Sequence, residues 1–479
     1  MSSGSSTGSP RVAVLGGGLS GIAAALDCAA AGMRVTLLEV RRRLGGAAYS
    51  FEREGLQMDN GQHVFLRCCL AYRALLEWLG SEQLTSVQPR LRIPVLKPGA
   101  QPTSLRRGAR PAPMHLAGAL ARYPHLSPPQ RLGAARAALA LMRLDPDDRQ
   151  LDRVSFGDWL ARHGQGASAV AALWDLVALP TLNVRAADAS LALAAFVFQT
   201  GLLSGADAGD IGFHQATLGE TIGEPAERAL REAGVDVRLG WRAERLQRSA
   251  AGLEVHGRGA RNATEAGDAD DDGGADDEGG AGELDGEQRT HEGLSAEAVV
   301  VALPHARAAT LLEPLLGEPA AALQRLGSSP IVNLHVVYDR QVCDEPFAAG
   351  VGTPVQYLFD RTAAGGAPAG CQYLAVSLSG AEHEMGMSVD ALRERYLPAL
   401  AELLPRARRA KVELFLATRE HAATFRAAPG SGALRPGPVT AVPGLVLAGS
   451  WTATGWPATL EGAVLSGHAA ASSVLAGLR

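Results

Sequence analysis

An α/β fold is predicted, in which a helix-covered parallel sheet is completed by segments far apart in the chain. Three features predict it: a strand–turn–helix–strand unit near the N-terminus, a strand–loop–helix unit at the C-terminus with no neighbouring strand of its own, and blocks of helical and strand-like pattern between them. Residues 11–15, RVAVL, are apolar and β-branched and stop at a glycine cluster. The alanine-rich run LSGIAAALDCAAAG then reads as a helix ending at Gly32, and RVTLLE reads as a second strand.

From about 64 to 230 the pattern is mostly helical, with AYRALLEWLG, RLGAARAALALMRL and VAALWDLVAL separated by proline and glycine. Short strands return at 235–256 and 296–304. Between 330 and 440, IVNLHVVYD, CQYLAVSLSG and KVELFLAT read as strands and 388–404 as a helix. The chain closes with the strand LVLAGSW and the helical TLEGAVLSGHAAASSVLAGL. A discontinuous first domain is expected from 11–63, 220–304 and 440–479, and a second, mixed α+β domain with a largely helical insertion from 64–219 and 305–439. Residues 257–293 are acidic and glycine-rich, too like-charged to bury anything, and are expected to form a disordered insertion; residues 1–10 read as a flexible tail.

A net charge of −5 and a pI near 6.2 exclude a basic nucleic-acid surface. Cys28, Cys68, Cys69, Cys343 and Cys371 are odd in number and lack metal-type spacing, so they read as free thiols in a reducing cytoplasm, with no metal site. No run approaches a membrane-spanning length of apolar residues. A cytoplasmic location follows, with peripheral contact at the inner face of the membrane left open for the apolar stretches LAGALARYPHL and SLALAAFVFQTGLL.

The sharpest local signal is Gly16-x-Gly18-x-x-Gly21, directly after a strand and opening a helix, with Glu39 ending the next strand. Gly16 permits the turn, Gly18 lets a pyrophosphate approach the backbone, Gly21 lets the helix pack on the sheet, and the helix N-terminus favours phosphate charge. Glu39 can accept from a ribose diol. This defines a Rossmann-like dinucleotide-binding unit. The run Arg41-Arg42-Arg43-Leu44-Gly45-Gly46 follows, adding backbone and guanidinium contacts of the kind FAD needs to reach a second domain.

On these residues the chain resembles the flavin-containing amine oxidase and phytoene desaturase superfamily, with Ala47 where the family usually has arginine. The C-terminal GLVLAGSWTATGWPATLEGAVLSGHAA looks like the family's closing strand, flavin-facing loop and helix. The resemblance implies Gly449 and Ser450 near the ribityl or pyrophosphate, and Thr459, Leu460, Glu461, Gly462 and Ala463 at a helix N-terminus facing the flavin; many relatives have aspartate at Ser450. WRAERL aligns with the adenine-side segment and implies a backbone contact from Ala243. Asp59-Asn60-Gly61-Gln62-His63, Ala423-Thr424-Phe425 and Thr454-Gly455-Trp456-Pro457-Ala458-Thr459 are similar, in that order, to the bacterial hydroxysqualene dehydroxylase branch, which commonly has aspartate at Ala453.

That branch implies an FAD-dependent oxidoreductase acting on a long-chain isoprenoid, recharged by an electron donor that the sequence does not name. It implies His63 as proton donor and Gln62 as the group orienting the hydroxyl, with Asn60 and Gly61 at the flavin edge and Trp456 and Pro457 walling its reactive face. Loop bracing by Asn60 and Gln62, a structural role for His63 and core packing by Trp456 are the competing readings, and Asp59 reads as a loop brace. A carotenoid desaturase, an amine oxidase and a non-enzymatic prenyl-lipid escort are the alternative functions. Amine oxidases of the group keep a lysine near the flavin, whereas Lys97 and Lys411 both fall outside these motifs.

Overall fold

The computed structural model describes residues 9–250, 252–259 and 290–478. Its first sheet is fully parallel, in the order Asp236–Leu239, Arg34–Glu39, Arg11–Leu15, Ala298–Val301, Leu445–Leu447. Val12, Ala13, Val14, Ala298, Val299, Val300 and Val301 are all buried, so both faces of these central strands are covered, as a helix-covered parallel sheet requires. The helices Leu19–Ala30 and Leu460–Gly477 pack on it and on each other. Small residues let their backbones approach: a Cβ on Gly467 would lie 2.3 Å from the Ser20 carbonyl oxygen. The sheet thus draws its strands from the beginning, middle and end of the chain.

Strands Arg242–Ser249, Gly252–Gly259 and Thr290–Ala296 form an antiparallel sheet beside it. Pairing runs into the segment expected to be disordered, with Gly257 opposite Glu292 and Gly259 opposite Thr290, because the ladder outlasts the apolar pattern that sequence reading followed. The acidic centre of that segment and most of the N-terminal tail lie outside the described residues.

A second large sheet has seven strands, in the order Val412–Phe425, Ser328–Tyr338, Gln372–Ser379, Tyr357–Asp360, Phe347–Gly350, Arg92–Leu96, Thr103–Arg106. Strand Ser328–Tyr338, second from one edge, is two-faced: Val332, Leu334 and Val336 pack against Leu392, Tyr396 and Leu400 of helix Val389–Leu403, while Ser329, Asn333 and His335 alternate on the other side and are also buried.

The stretch 64–230 contains more strand than its local pattern predicts. Val64–Leu66, Thr85–Val87 and Ile211–His214 form a small sheet, and Arg92–Leu96 and Thr103–Arg106 extend the large one. These strands are short and, apart from the hairpin that joins Arg92–Leu96 to Thr103–Arg106, their partners are distant, so local periodicity carries little of their signal. SLALAAFVFQTGLL forms a core helix and its continuation: Leu191, Leu193, Ala194, Ala195, Val197, Phe198 and Leu203 are all buried, which removes it as a membrane-facing surface.

Candidate active site

The phosphate end is made of main chain. Gly16 holds φ at +107°, and a Cβ on Gly21 would come within 1.9 Å of the Gly16 carbonyl oxygen, so both positions exclude a side chain. Gly18 caps helix Leu19–Ala30 with no side-chain hydrogen bond, and the first turn carries no acidic residue, leaving its N–H groups to a ligand. Gly45 bridges to Gly18, and a Cβ on Gly46 would lie 2.8 Å from the Gly18 Cα, so the double glycine seats directly on the fingerprint. The buried Glu39 carboxylate accepts from the Gly17 N–H through one oxygen and from the Arg41 N–H at 2.8 Å through the other. Arg41 acts here through its main chain. The guanidinium at the double glycine is that of Arg43, which donates to the Gly46 carbonyl at 3.4 Å and stacks 3.3 Å above the Tyr49 ring. Gly240 donates to the Arg41 carbonyl and Trp241 to that of Glu39, bringing Ala243, at a register shift in its strand, to the same edge.

The DNGQH loop is held from several sides. Asp59 accepts from Ser50 Oγ at 2.6 Å, the Leu218 N–H at 2.9 Å and Arg361 at 2.7 Å, so it braces the loop. Asn60 donates to the Ala47 carbonyl at 3.1 Å and to Glu420 at 3.3 Å, which commits its amide to the protein. Gly61 turns the chain at φ +85°. His63 is held below the usual histidine range by burial, against the opposing pull of Asp59, so its imidazole is neutral near pH 7. Its main chain is fixed by a relay that sequence reading missed. Tyr72 OH donates to His214 Nε2 at 2.7 Å, and His214 Nδ1 donates to the His63 carbonyl at 3.0 Å. Burial pushes the His214 pKa down to about 4, keeping it in that neutral tautomer.

The C-terminal segment joins this network. Thr459 caps helix Leu460–Gly477 by accepting from the Gly462 N–H, and Gly449 donates to Ser466 Oγ at 2.8 Å. The Glu461 side chain turns away from the expected flavin face: its two oxygens accept from the Ala71 and Tyr72 N–H groups at 3.0 and 2.7 Å, capping helix Leu70–Trp78. Only its main chain belongs to the helix N-terminus that was expected to face the ring. Ser450 and Ala453 lie in a loop organised by Arg435, a buried guanidinium that donates to the carbonyls of Ser450, Trp451, Thr452 and Trp456 and lies 4.8 Å above the Phe425 ring. Burial pushes its pKa down to about 10. Ala453 is exposed and donates its N–H to the Pro436 carbonyl. Trp456 meets Phe196 edge to face at 5.2 Å, and Pro457 beside it is buried.

Asn333 is a further residue that sequence reading missed. A Cβ on Gly61 would lie 3.6 Å from His63 Cε1 and 3.8 Å from Asn333 Nδ2, which puts Asn333 beside the loop. Asn333 Oδ1 and Gln62 Nε2 are buried with no hydrogen-bond partner. A buried acceptor and a buried donor left open at one loop fit a polar ligand edge, such as a flavin ring or a hydroxyl. The uncapped helix and the glycine cradle likewise fit a pyrophosphate. Among the lysines, Lys97 is exposed and Lys411 is an exposed partner of Glu413 at 2.8 Å.

A glycine-cradled helix N-terminus under a parallel sheet, closed by the last helix of the chain, fits the FAD of an oxidoreductase. The family model for flavin containing amine oxidoreductases matches residues 19–475, and the chain belongs to that family. It is 30% identical over 477 residues to the hydroxysqualene dehydroxylase of Rhodopseudomonas palustris, covering 98% of this chain and 99% of that protein. The hydroxysqualene dehydroxylase of Sinorhizobium fredii is 28% identical, over 97% of this chain and 98% of its own. The zeta-carotene desaturase of Arabidopsis thaliana is 24% identical, over 97% and 85%. Among solved structures, a putrescine oxidase redesigned in its cofactor binding superposes with a TM-score of 0.70 at 19% identity, covering 98% of this chain and 99% of that one. Likeness at that identity concerns the fold.

Proposed function

We propose that the protein removes the hydroxyl of hydroxysqualene, giving squalene and water. The observation that carries this reading is the end-to-end match to two hydroxysqualene dehydroxylases, at higher identity than the desaturase. The open polar pair of Gln62 and Asn333 supports it, because a hydroxyl both donates and accepts. The carbon–oxygen bond breaks with protonation of the leaving hydroxyl, and the carbon gains hydride, so one proton and one hydride are consumed per water released. Reduced FAD supplies the hydride. Asn333 and Gln62 orient the hydroxyl, the Trp456–Phe196 pair keeps bulk water from the reacting carbon, and His63 is the titratable group beside the loop. An electron donor must restore the reduced cofactor.

A proton delivered by His63 has a pH signature. Its pKa lies below 6.5, so the protonated fraction grows as pH falls through neutrality, and turnover should rise about tenfold per unit of acidification above that pKa. A flat profile, or one unchanged in His63→Gln, removes His63 from that role. The substrate is tested by offering the reduced holoprotein hydroxysqualene and the oxidised holoprotein a carotene precursor, with products identified by mass. Squalene from the first and no new double bond from the second is the expected outcome; the reverse establishes the desaturase reading.

A further inference from the structure

From residue 83 to 144 the chain carries ten lysines and arginines and no acidic residue, although the whole protein is acidic at −5. Arg92 and Arg107 are engaged by Glu345 and Asp210 from elsewhere in the fold. Among the described residues no ion pair engages Arg110, Arg122, Arg136 or Arg143, and all four are exposed. Helix Pro128–Leu141 lies within this region. At 100° per residue, Leu132, Arg136, Leu139 and the following Arg143 share one face within a narrow arc. That face points outward: Leu132 is 54% and Leu139 50% exposed, while Ala134, Ala137 and Leu141 on the opposite side are buried. Met114, one turn of chain before the preceding helix, is 51% exposed.

We propose that this face docks on an anionic lipid bilayer. Its charge is of one sign and opposite to that of acidic headgroups, and its leucines stand where apolar side chains enter the interface between headgroups and acyl chains. A partner surface of mixed charge would set cations against some of these arginines, whereas acidic headgroups present one sign throughout. The face also connects inward. Gln199 donates to the carbonyls of Leu141 and Leu144 at the end of the helix, each at 2.8 Å, and Phe196, one turn before it, packs on Trp456. A lipid surface on the outer side of this helix is therefore two side-chain contacts from the reaction loop, which suits a hydrocarbon substrate and to that extent rests on the reading above.

The test is cosedimentation of the holoprotein with vesicles of phosphatidylcholine alone and of an equimolar mixture with phosphatidylglycerol, without substrate, so that a failed dehydroxylation assay does not bear on it. Binding to the mixed vesicles and release by high salt are expected, with binding to neutral vesicles much weaker. Arg136→Ser with Arg143→Ser should weaken binding about twenty-five-fold, from roughly fivefold per arginine at an acidic surface. Leu132→Ser with Leu139→Ser should weaken it as well, while flavin absorbance and turnover of detergent-dispersed substrate stay unchanged in both variants. Equal partition of wild type and both variants, or a dimer in solution that these variants split into monomers, overturns the proposal.

Discussion

At the end of the site expected to hold phosphate, the groups come from main chain braced by one carboxylate, within a stretch of about thirty residues: Gly16, Gly18 and Gly21, the Gly45–Gly46 pair and, behind them, Glu39. At the proposed reacting end they come from side chains delivered by remote elements: Gln62 and His63 from one loop, Asn333 from the large sheet, Trp456 from the last loop, and Tyr72, His214 and Arg435 behind them. The first arrangement can be shared by enzymes of different chemistry, because it grips a group common to all of them. The second determines what reacts. It follows that substitutions at the two ends should separate cofactor retention from turnover.

The largest effect should come from Gly18→Ala. The nearest atom to a Cβ there is 3.7 Å away, so the fold tolerates it, but the added methyl occupies the space of the pyrophosphate. FAD affinity should fall on the order of a hundredfold with an unchanged far-UV spectrum; a yellow, fully loaded variant would contradict the placement. Next, Gln62→Leu with Asn333→Leu should keep flavin bound and lower turnover roughly a hundredfold, as removal of oriented hydrogen bonds does. Loss of flavin instead would move these residues from reaction to cofactor binding.

A smaller effect, read in stability, belongs to Arg435. Replacing it by methionine leaves four loop carbonyls without their donor and should cost about 2 kcal/mol in thermal unfolding of the holoprotein. Arg435→Lys should recover part of this, since a compact ammonium keeps the charge but not the planar fork of the guanidinium. The smallest effect lies at the back of the phosphate end, where His468 meets Asp27 at 2.6 Å and that carboxylate raises the histidine pKa. This contribution is complete below pH 6.5 and is lost as pH rises through the raised folded value. His468→Gln should therefore flatten stability between neutral and alkaline pH by less than about 1 kcal/mol, the pair being partly exposed.

The same contrast explains what the sequence disclosed. The fingerprint, Glu39 and the closing helix were legible because strand, turn and helix signals sit side by side and each glycine has a local steric reason. The DNGQH and TGWPAT segments could be located by resemblance, but not what surrounds them. Glu461 was expected at the N-terminus of the closing helix, where it lies, but nothing local shows that its side chain caps helix Leu70–Trp78. Arg435 sits in a loop whose sequence gives no hint that its guanidinium is buried. Asn333 and His335 did leave a trace, as polar residues two apart in an otherwise apolar strand, which marks a face turned to something other than a dry core. The short strands at 64–66, 85–87 and 211–214 pair only across long sequence distances, and no local period announces them.

The account is tested most directly by a single anaerobic turnover, in which fully reduced holoprotein is mixed with one equivalent of hydroxysqualene while flavin absorbance is followed and the lipid is quantified. One squalene formed for each flavin reoxidised is the predicted result. Flavin that stays reduced with the alcohol recovered intact would contradict it.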